Sequence, residues 1–167
     1  MKSKEKDLVD VLVSDWKKER PDLDSTPMLI VGRILKLGKK LEKSIGRSLI
    51  DSGIHYTDLD VLATIRRSGE PYKLSPKDLM KSVLITSGAM TALLTRLTNM
   101  DLIYRAPNGK DGRVKLACLT EKGKTVIDNA IEIRFNEAKS SIEMFTVQEK
   151  VLLSSLLKKM ILNHPNI

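Results

Sequence analysis

Cysteine is almost missing from this chain. Of its 167 residues only Cys118 is one, so no disulfide can form within the chain. Cys118 falls on the apolar side of a strand-like stretch, where a thiol serves as packing; the alternative is a redox sensor. The two histidines, His55 and His164, lie far apart and have no Cys or carboxylate cluster at ligand spacing, so no metal site is expected. No nucleophile–base pair, paired-acid motif or phosphate-binding loop stands out, so neither an enzyme nor a cofactor is expected. No apolar run approaches the length needed to cross a bilayer. The opening residues, MKSKEKDLVD, lack the apolar stretch of a signal peptide, and the expectation is cytoplasmic. Internal repeats and low-complexity tracts are also missing.

What is present is an ordinary globular composition with a cationic bias. Hydrophobic residues make up 41% and charged residues 30%, and the length suffices for one sizeable core. Lys and Arg number 29 against 21 Asp and Glu, a net charge of +8. Such an excess favours a polyanionic partner, nucleic acid first and a membrane surface second.

The segment from Ser75 to Thr120 organises the rest. Ser75-Pro76 is a helix start, a capping oxygen followed by a residue whose missing N–H is no loss at the first helical position. A short helix over Pro76 to Val83 follows, and Thr86-Ser87 opens a second. There Ala89, Met90, Leu93, Leu94, Leu97 and Met100 recur at three- and four-residue steps and fill one apolar arc. The opposite arc holds Ser87, Gly88, Thr91, Thr95, Thr98 and Asn99. These are small and polar where a solvated face carries Lys and Glu, which suits a helix lying in a major groove. Leu102 to Ala106 and Val114 to Leu119 read as paired strands around a Pro107-Asn108-Gly109 turn. Arg105, Lys110, Arg113 and Lys115 gather near its tip, where they can reach phosphates or a minor groove, and Asp111 is placed to orient Arg113. Helix, turn, helix and basic hairpin make a winged helix-turn-helix.

Helices flank this module. Leu8 to Arg20 is amphipathic, with Leu8, Val9, Val11, Leu12, Val13 and Trp16 on one broad face, and Pro21 ends it. A linker with two prolines leads to a long helix over Met28 to Leu49, whose Lys36, Lys39, Lys40, Lys43 and Arg47 read as a solvated side. Thr57 is expected to cap a helix reaching about Ser68, with Asp60 and Arg67 on nearly the same face. After Thr120 a long helix runs towards Met144, and Thr146-Val147-Gln148-Glu149 is a capping box for the last one. These final helices carry more apolar surface than the compact module can cover, so pairing with a second copy is expected. The fold class is mainly α with a small β-wing. The organisation expected is one structural domain with three regions. Residues 1–56 provide pairing and a ligand pocket, 57–120 the DNA-binding module, and 121–167 further pairing helices.

The order T-x-R-L, D-L-I-Y-R, D-G-R and L-T-E-K-G resembles the MarR family of bacterial transcriptional regulators, over essentially the whole chain. The matching positions are Arg96, Leu97, Leu102, Arg105, Asp111, Arg113, Leu119, Thr120 and Gly123. Thr95 stands where that family often has Asp, and Asp101 where it often has Gly. A narrower likeness, to a urate-responsive branch with an extra N-terminal helix, rests on two segments. One holds Trp16, Glu19-Arg20-Pro21-Asp22-Leu23-Asp24 and Val31-Gly32-Arg33; the other runs from Asp60 to Gly69.

The resemblance implies a dimeric, ligand-responsive regulator, most simply a repressor, reading a pseudo-palindromic operator in double-stranded DNA. Ser75, Ser87, Gly88, Thr91, Thr95, Lys110 and Arg113 are the expected DNA-contacting residues. Trp16, Asp60, Arg67 and Arg96 are the residues the branch likeness assigns to a small anionic aromatic effector such as urate. In that scheme Trp stacks on the ring, Arg pairs with its charge, and an Asp60–Arg96 contact couples pocket to DNA. A phenolic acid effector such as salicylate, or an architectural DNA binder with no effector, are the alternatives.

Overall fold

The computed structural model describes residues 5–83, 85–109 and 111–164, with backbone alone for 111–113. The helices among these residues are α1 (Leu8–Glu19), α2 (Met28–Ser48), α3 (Tyr56–Arg67), α4 (Pro76–Ser82), α5 (Ser87–Asn99), α6 (Glu121–Ser141) and α7 (Val147–Asn163). The strands are β1 (Lys73–Leu74), β2 (Ile103–Asn108) and β3 (Asp111–Leu119). Internal contacts divide the chain into two compact units, the first ending at Ser44 and the second starting at Ile45.

The first unit is held by a carboxylate–arginine clamp. Asp7 caps α1, its Oδ1 accepting from the N–H groups of Val9 (2.7 Å) and Asp10 (3.0 Å), and Asp10 reciprocates on the Asp7 N–H at 3.0 Å. Arg33 of α2 then donates to Asp7 (2.8 Å) and to Asp10 (2.7 Å). The Arg33 guanidinium and the helix N–H groups hold the Asp7 carboxyl well below its usual range, at about 2. Gly32 lies close under α1, where a Cβ would make a tight 3.2 Å contact with Val9 Cγ1. Pro21 stops α1, and an Arg20–Asp22 fork (2.7 and 2.9 Å) ties the connector.

The second unit has one apolar core. Leu59, Leu62 and Ile65 of α3, Leu79 of α4, Met90, Leu94 and Leu97 of α5, Ile103 and Ala117 of the sheet, and Ile127 and Ala130 of α6 all belong to it. The sheet is antiparallel in the order β1-β3-β2. Helices α3 to α6 and the sheet thus surround the same core.

Several boundaries differ from those read off the sequence. His55, not Thr57, is the N-cap of α3, and Asp58 completes its capping box by accepting from the His55 N–H at 2.7 Å. The hairpin is longer than expected: Pro107 and Asn108 extend β2 past the expected turn, with an irregularity between them and Asn108 opposite Asp111. Proline is tolerated there because β2 is an edge strand, with β3 on one side only. Strand β1 has two residues, too few for any alternation to betray it.

Gly123 explains the glycine of the L-T-x-x-G motif. A Cβ on Gly123 would run into the carbonyl oxygen of Leu102. The α6 N-terminus is latched to this turn by Thr120, whose N–H donates to Leu102 O (3.2 Å) and whose Oγ1 donates to Asp101 O (2.7 Å). Arg66 of α3 reaches Asp128 of α6 at 2.8 Å, and the Arg66 guanidinium (4.8 Å) and the Lys124 ammonium (5.1 Å) both lie over the Tyr72 ring. Helix α7 is different in kind: none of its described residues is buried, and Val147, Val151, Leu152, Leu156, Leu162 and others stand exposed. Spaced at 100° per residue, these apolar positions go all round the helix, the pattern of a helix meant for burial.

Candidate nucleic-acid interface and effector groove

Helix α5 is presented by local chemistry that the sequence makes legible. Ser75 caps α4, its Oγ accepting from the Asp78 N–H (3.2 Å) and donating to Asp78 Oδ2 (2.7 Å). Of the expected DNA-contacting residues, Ser75 therefore has its hydroxyl engaged within its own helix. Thr86 caps α5, accepting from Ala89 N at 3.3 Å. Met90, Leu93, Leu94 and Leu97 are buried, which turns Ser87, Gly88, Thr91, Ala92, Thr95 and Asn99 to the outside.

The exposed threonines are already hydrogen-bonded in a specific sense. Thr91 Oγ1 donates to Ser87 O (3.1 Å), and Thr95 Oγ1 donates to Thr91 O (3.0 Å). Their protons point into the helix, leaving oxygen lone pairs and methyl groups as the outward chemistry. Ala92 shares this surface, and its methyl carries no polar signal in the sequence. Gly88 is exposed, with nothing within 4 Å of where a Cβ would be.

One charged residue belongs to α5, and it is occupied. Arg96 donates to Asp58, a carboxylate at the start of α3 with 0% exposure. The sequence reading paired Arg96 with Asp60; the accepting carboxylate is Asp58 instead. Two residues along a helix means roughly 200° of rotation, so the two acids leave α3 on opposite sides. Asp58 was missed because at the third helical position an acid is explained by capping alone, and it performs that role too. Its Oδ1 is buried without a partner among the described residues.

In the wing, Arg105 Nη2 donates to Lys115 O (2.7 Å), which braces β2 against β3. Lys110 lies outside the described residues. Arg113 belongs to β3 by its backbone, and its side chain also lies outside them.

The four residues assigned to an effector fall in both units. Trp16, in the first, is 58% exposed. It lines a groove of ≈ 570 Å³ between α1 and α2 together with Val9, Leu12, Met28, Leu35, Lys36 and Lys39. Apart from these lysines and Ser25 the lining is apolar, and it includes no acid. In the second unit Asp60 is half-buried, its carbonyl accepting from Thr64 Oγ1 at 2.7 Å, and Arg67 is exposed. Lys36 and Lys39, on the side of α2 expected to be solvated, are three residues apart and so lie side by side at the groove that Trp16 lines.

A profile of the MarR family matches residues 52–114. The HTH-type transcriptional regulator PecS of Dickeya dadantii is 30% identical over 146 residues, which cover 87% of this chain and 88% of PecS. Among solved structures, a mutant MarR from E. coli complexed with operator DNA superposes with a TM-score of 0.71 at 24% identity, covering 93% of this chain and 99% of that one. BpsR of Bordetella bronchiseptica, whose DNA binding is regulated by 6-hydroxynicotinic acid, gives a TM-score of 0.69 at 22% identity, covering 78% of this chain and 91% of that one. The chain belongs to the MarR family of DNA-binding transcriptional regulators.

Proposed function

We infer that this regulator is a dimeric repressor that binds a pseudo-palindromic operator and is released by a small anionic aromatic compound, urate or a phenolic or heteroaromatic acid. The observation that carries the DNA reading is the outer face of α5. It is small, nearly uncharged and capped at its N-terminus, as a helix entering a major groove requires. Dimerisation is supported by α7, whose apolar residues surround the helix and are exposed in the single chain. Two copies on a two-fold axis would present two reading helices to two half-sites.

The effector reading rests on the Trp16 groove. Its volume suits a small ligand, its wall is apolar, and a tryptophan face and two ammonium groups meet there without a competing carboxylate. A flat monoanion satisfies both features. Regulation of BpsR by 6-hydroxynicotinic acid supports the same chemical class.

The test uses the full chain. Duplexes enriched from a random library should carry an inverted repeat, and the bound species should sediment as two chains per duplex. Urate, salicylate and 6-hydroxynicotinate are then titrated against that complex. Release of DNA by at least one of them supports the reading. Enrichment of a repeat that none of the three releases removes the effector. A stoichiometry of one chain per duplex removes the dimer.

A further inference from the structure

The outer face of α5 also says which bases it suits. Guanine presents two acceptors in the major groove, N7 and O6, and is read by Arg or Lys donors. The one cation of α5, Arg96, is committed to Asp58. The hydroxyl protons of Thr91 and Thr95 are committed to backbone carbonyls. What remains at Gly88, Thr91, Ala92 and Thr95 is acceptor lone pairs, methyl groups and a bare backbone. Ser87, at the edge of the face, keeps the free hydroxyl there.

We propose that Thr91, Ala92 and Thr95 make α5 a reader of A·T pairs, by accepting from adenine N6 and packing against the thymine C5-methyl. An A·T pair supplies both complements at once: adenine N6–H₂ is a donor, and thymine carries the methyl. A G·C pair supplies a donor from cytosine N4 but no methyl. Gly88 adds no side chain, so the helix backbone can sit close enough for these short groups to touch the base edges. Discrimination against G·C then rests on the lost methyl contact, because an A·T pair leaves adenine N7 and thymine O4 just as dry as a G·C pair leaves guanine N7 and O6.

This inference rests on α5 being the DNA-reading helix, and the experiment separates the two. Sites are first enriched from a random duplex library with the full chain. Uracil then replaces thymine position by position, which removes only the C5-methyl, and 7-deazaguanine replaces guanine, which removes only N7. The pairs under α5 are those whose substitution effects fail to add to that of Thr91→Ser, which keeps the hydroxyl and drops the methyl. At those pairs uracil should weaken binding about fourfold per buried methyl, and 7-deazaguanine should do nothing. Thr91→Val, which keeps the methyls, should retain the uracil effect and lose the preference for adenine over purine, which lacks the amino group. Guanines coupled to position 91 whose 7-deaza form loses fourfold or more would overturn the proposal while leaving α5 as the reading helix. Enrichment of no sequence at all would overturn both.

Discussion

Arg96 of α5 donates to Asp58, a fully buried carboxylate at the start of α3. The pair ties the C-terminal half of α5 to the helix behind it. Arg96 is itself 37% exposed, so only the acid is fully desolvated. Removing Arg96 strands a buried charge; removing Asp58 leaves the arginine access to water. Arg96→Ala should therefore lower unfolding stability by roughly 2–4 kcal/mol, at or below the usual range for a broken buried pair because water reaches one side. Asp60→Asn, on the opposite side of α3, should cost less, because Asp60 is half-buried where Asp58 is fully desolvated. Urea unfolding of the two variants decides it, and equal losses would mean that Asp60 carries the burden assigned to Asp58.

Two glycines should respond in opposite directions. At Gly123 a Cβ meets the Leu102 carbonyl, which belongs to the backbone and cannot swing aside. Gly123→Ala should destabilise by about 3 kcal/mol or separate the wing turn from α6. At Gly88 a Cβ meets open space, and alanine is the better helix former by about 0.5–1 kcal/mol. Gly88→Ala should raise the melting temperature and still weaken DNA binding, because only a partner outside the chain needs that space. A variant that is more stable and binds DNA unchanged would take Gly88 out of the interface.

Acid, and not the neutral range, should loosen the clamp of the first unit. Bonding to Arg33 and to helix N–H groups lowers the Asp7 carboxyl from the ordinary 3.8 to about 2. A depressed folded pKa means that the unfolded chain binds more protons in this range. The stabilisation is therefore complete above about pH 4 and lost as pH falls through 2. Trp16 is the only tryptophan and lies in the same unit, so its emission should shift in that window. Arg33→Ala removes the largest cause, and the midpoint should move up towards 3.8. A midpoint that ignores Arg33 would show that the helix N–H groups alone hold the carboxylate.

The parts legible in the sequence are those governed by short-range rules. The caps at Ser75, Thr86 and Thr146, the apolar arc of α5 and the buried Cys118 follow from neighbours within four residues. What escaped is set by partners distant in the chain. Strand β1 exists because Lys73 and Leu74 meet Cys118 and Ala117. Asp58 looks like a cap until Arg96 arrives from far along the chain. Ala92 looks inert until the threonines beside it are seen to have spent their protons. The groove lysines follow the same logic, since an ammonium is solvated by default and only the tryptophan lining the same groove sets these two apart.

That groove supports the last prediction. If an anionic aromatic ligand lies on Trp16, its ring should quench the emission and its charge should seek Lys36 and Lys39. Exposed ion pairs contribute about 0.2–1 kcal/mol each, so Lys36→Gln with Lys39→Gln should weaken binding by about two- to thirtyfold. A neutral analogue of the same ring should lose affinity on the parent and be indifferent to the double variant. Raising salt should weaken the acid and spare the analogue. Arg67→Ala is the decisive control. Retained quenching in Arg67→Ala, with loss in the lysine variant, places the ligand in the first unit. The reverse pattern would return the anion to Arg67 and leave Trp16 reporting from a distance. Linkage supplies an independent check, because DNA must weaken the ligand by the same factor as the ligand weakens DNA. Quenching that is identical with and without a saturating duplex would mean that the groove binds aromatic acids without regulating anything.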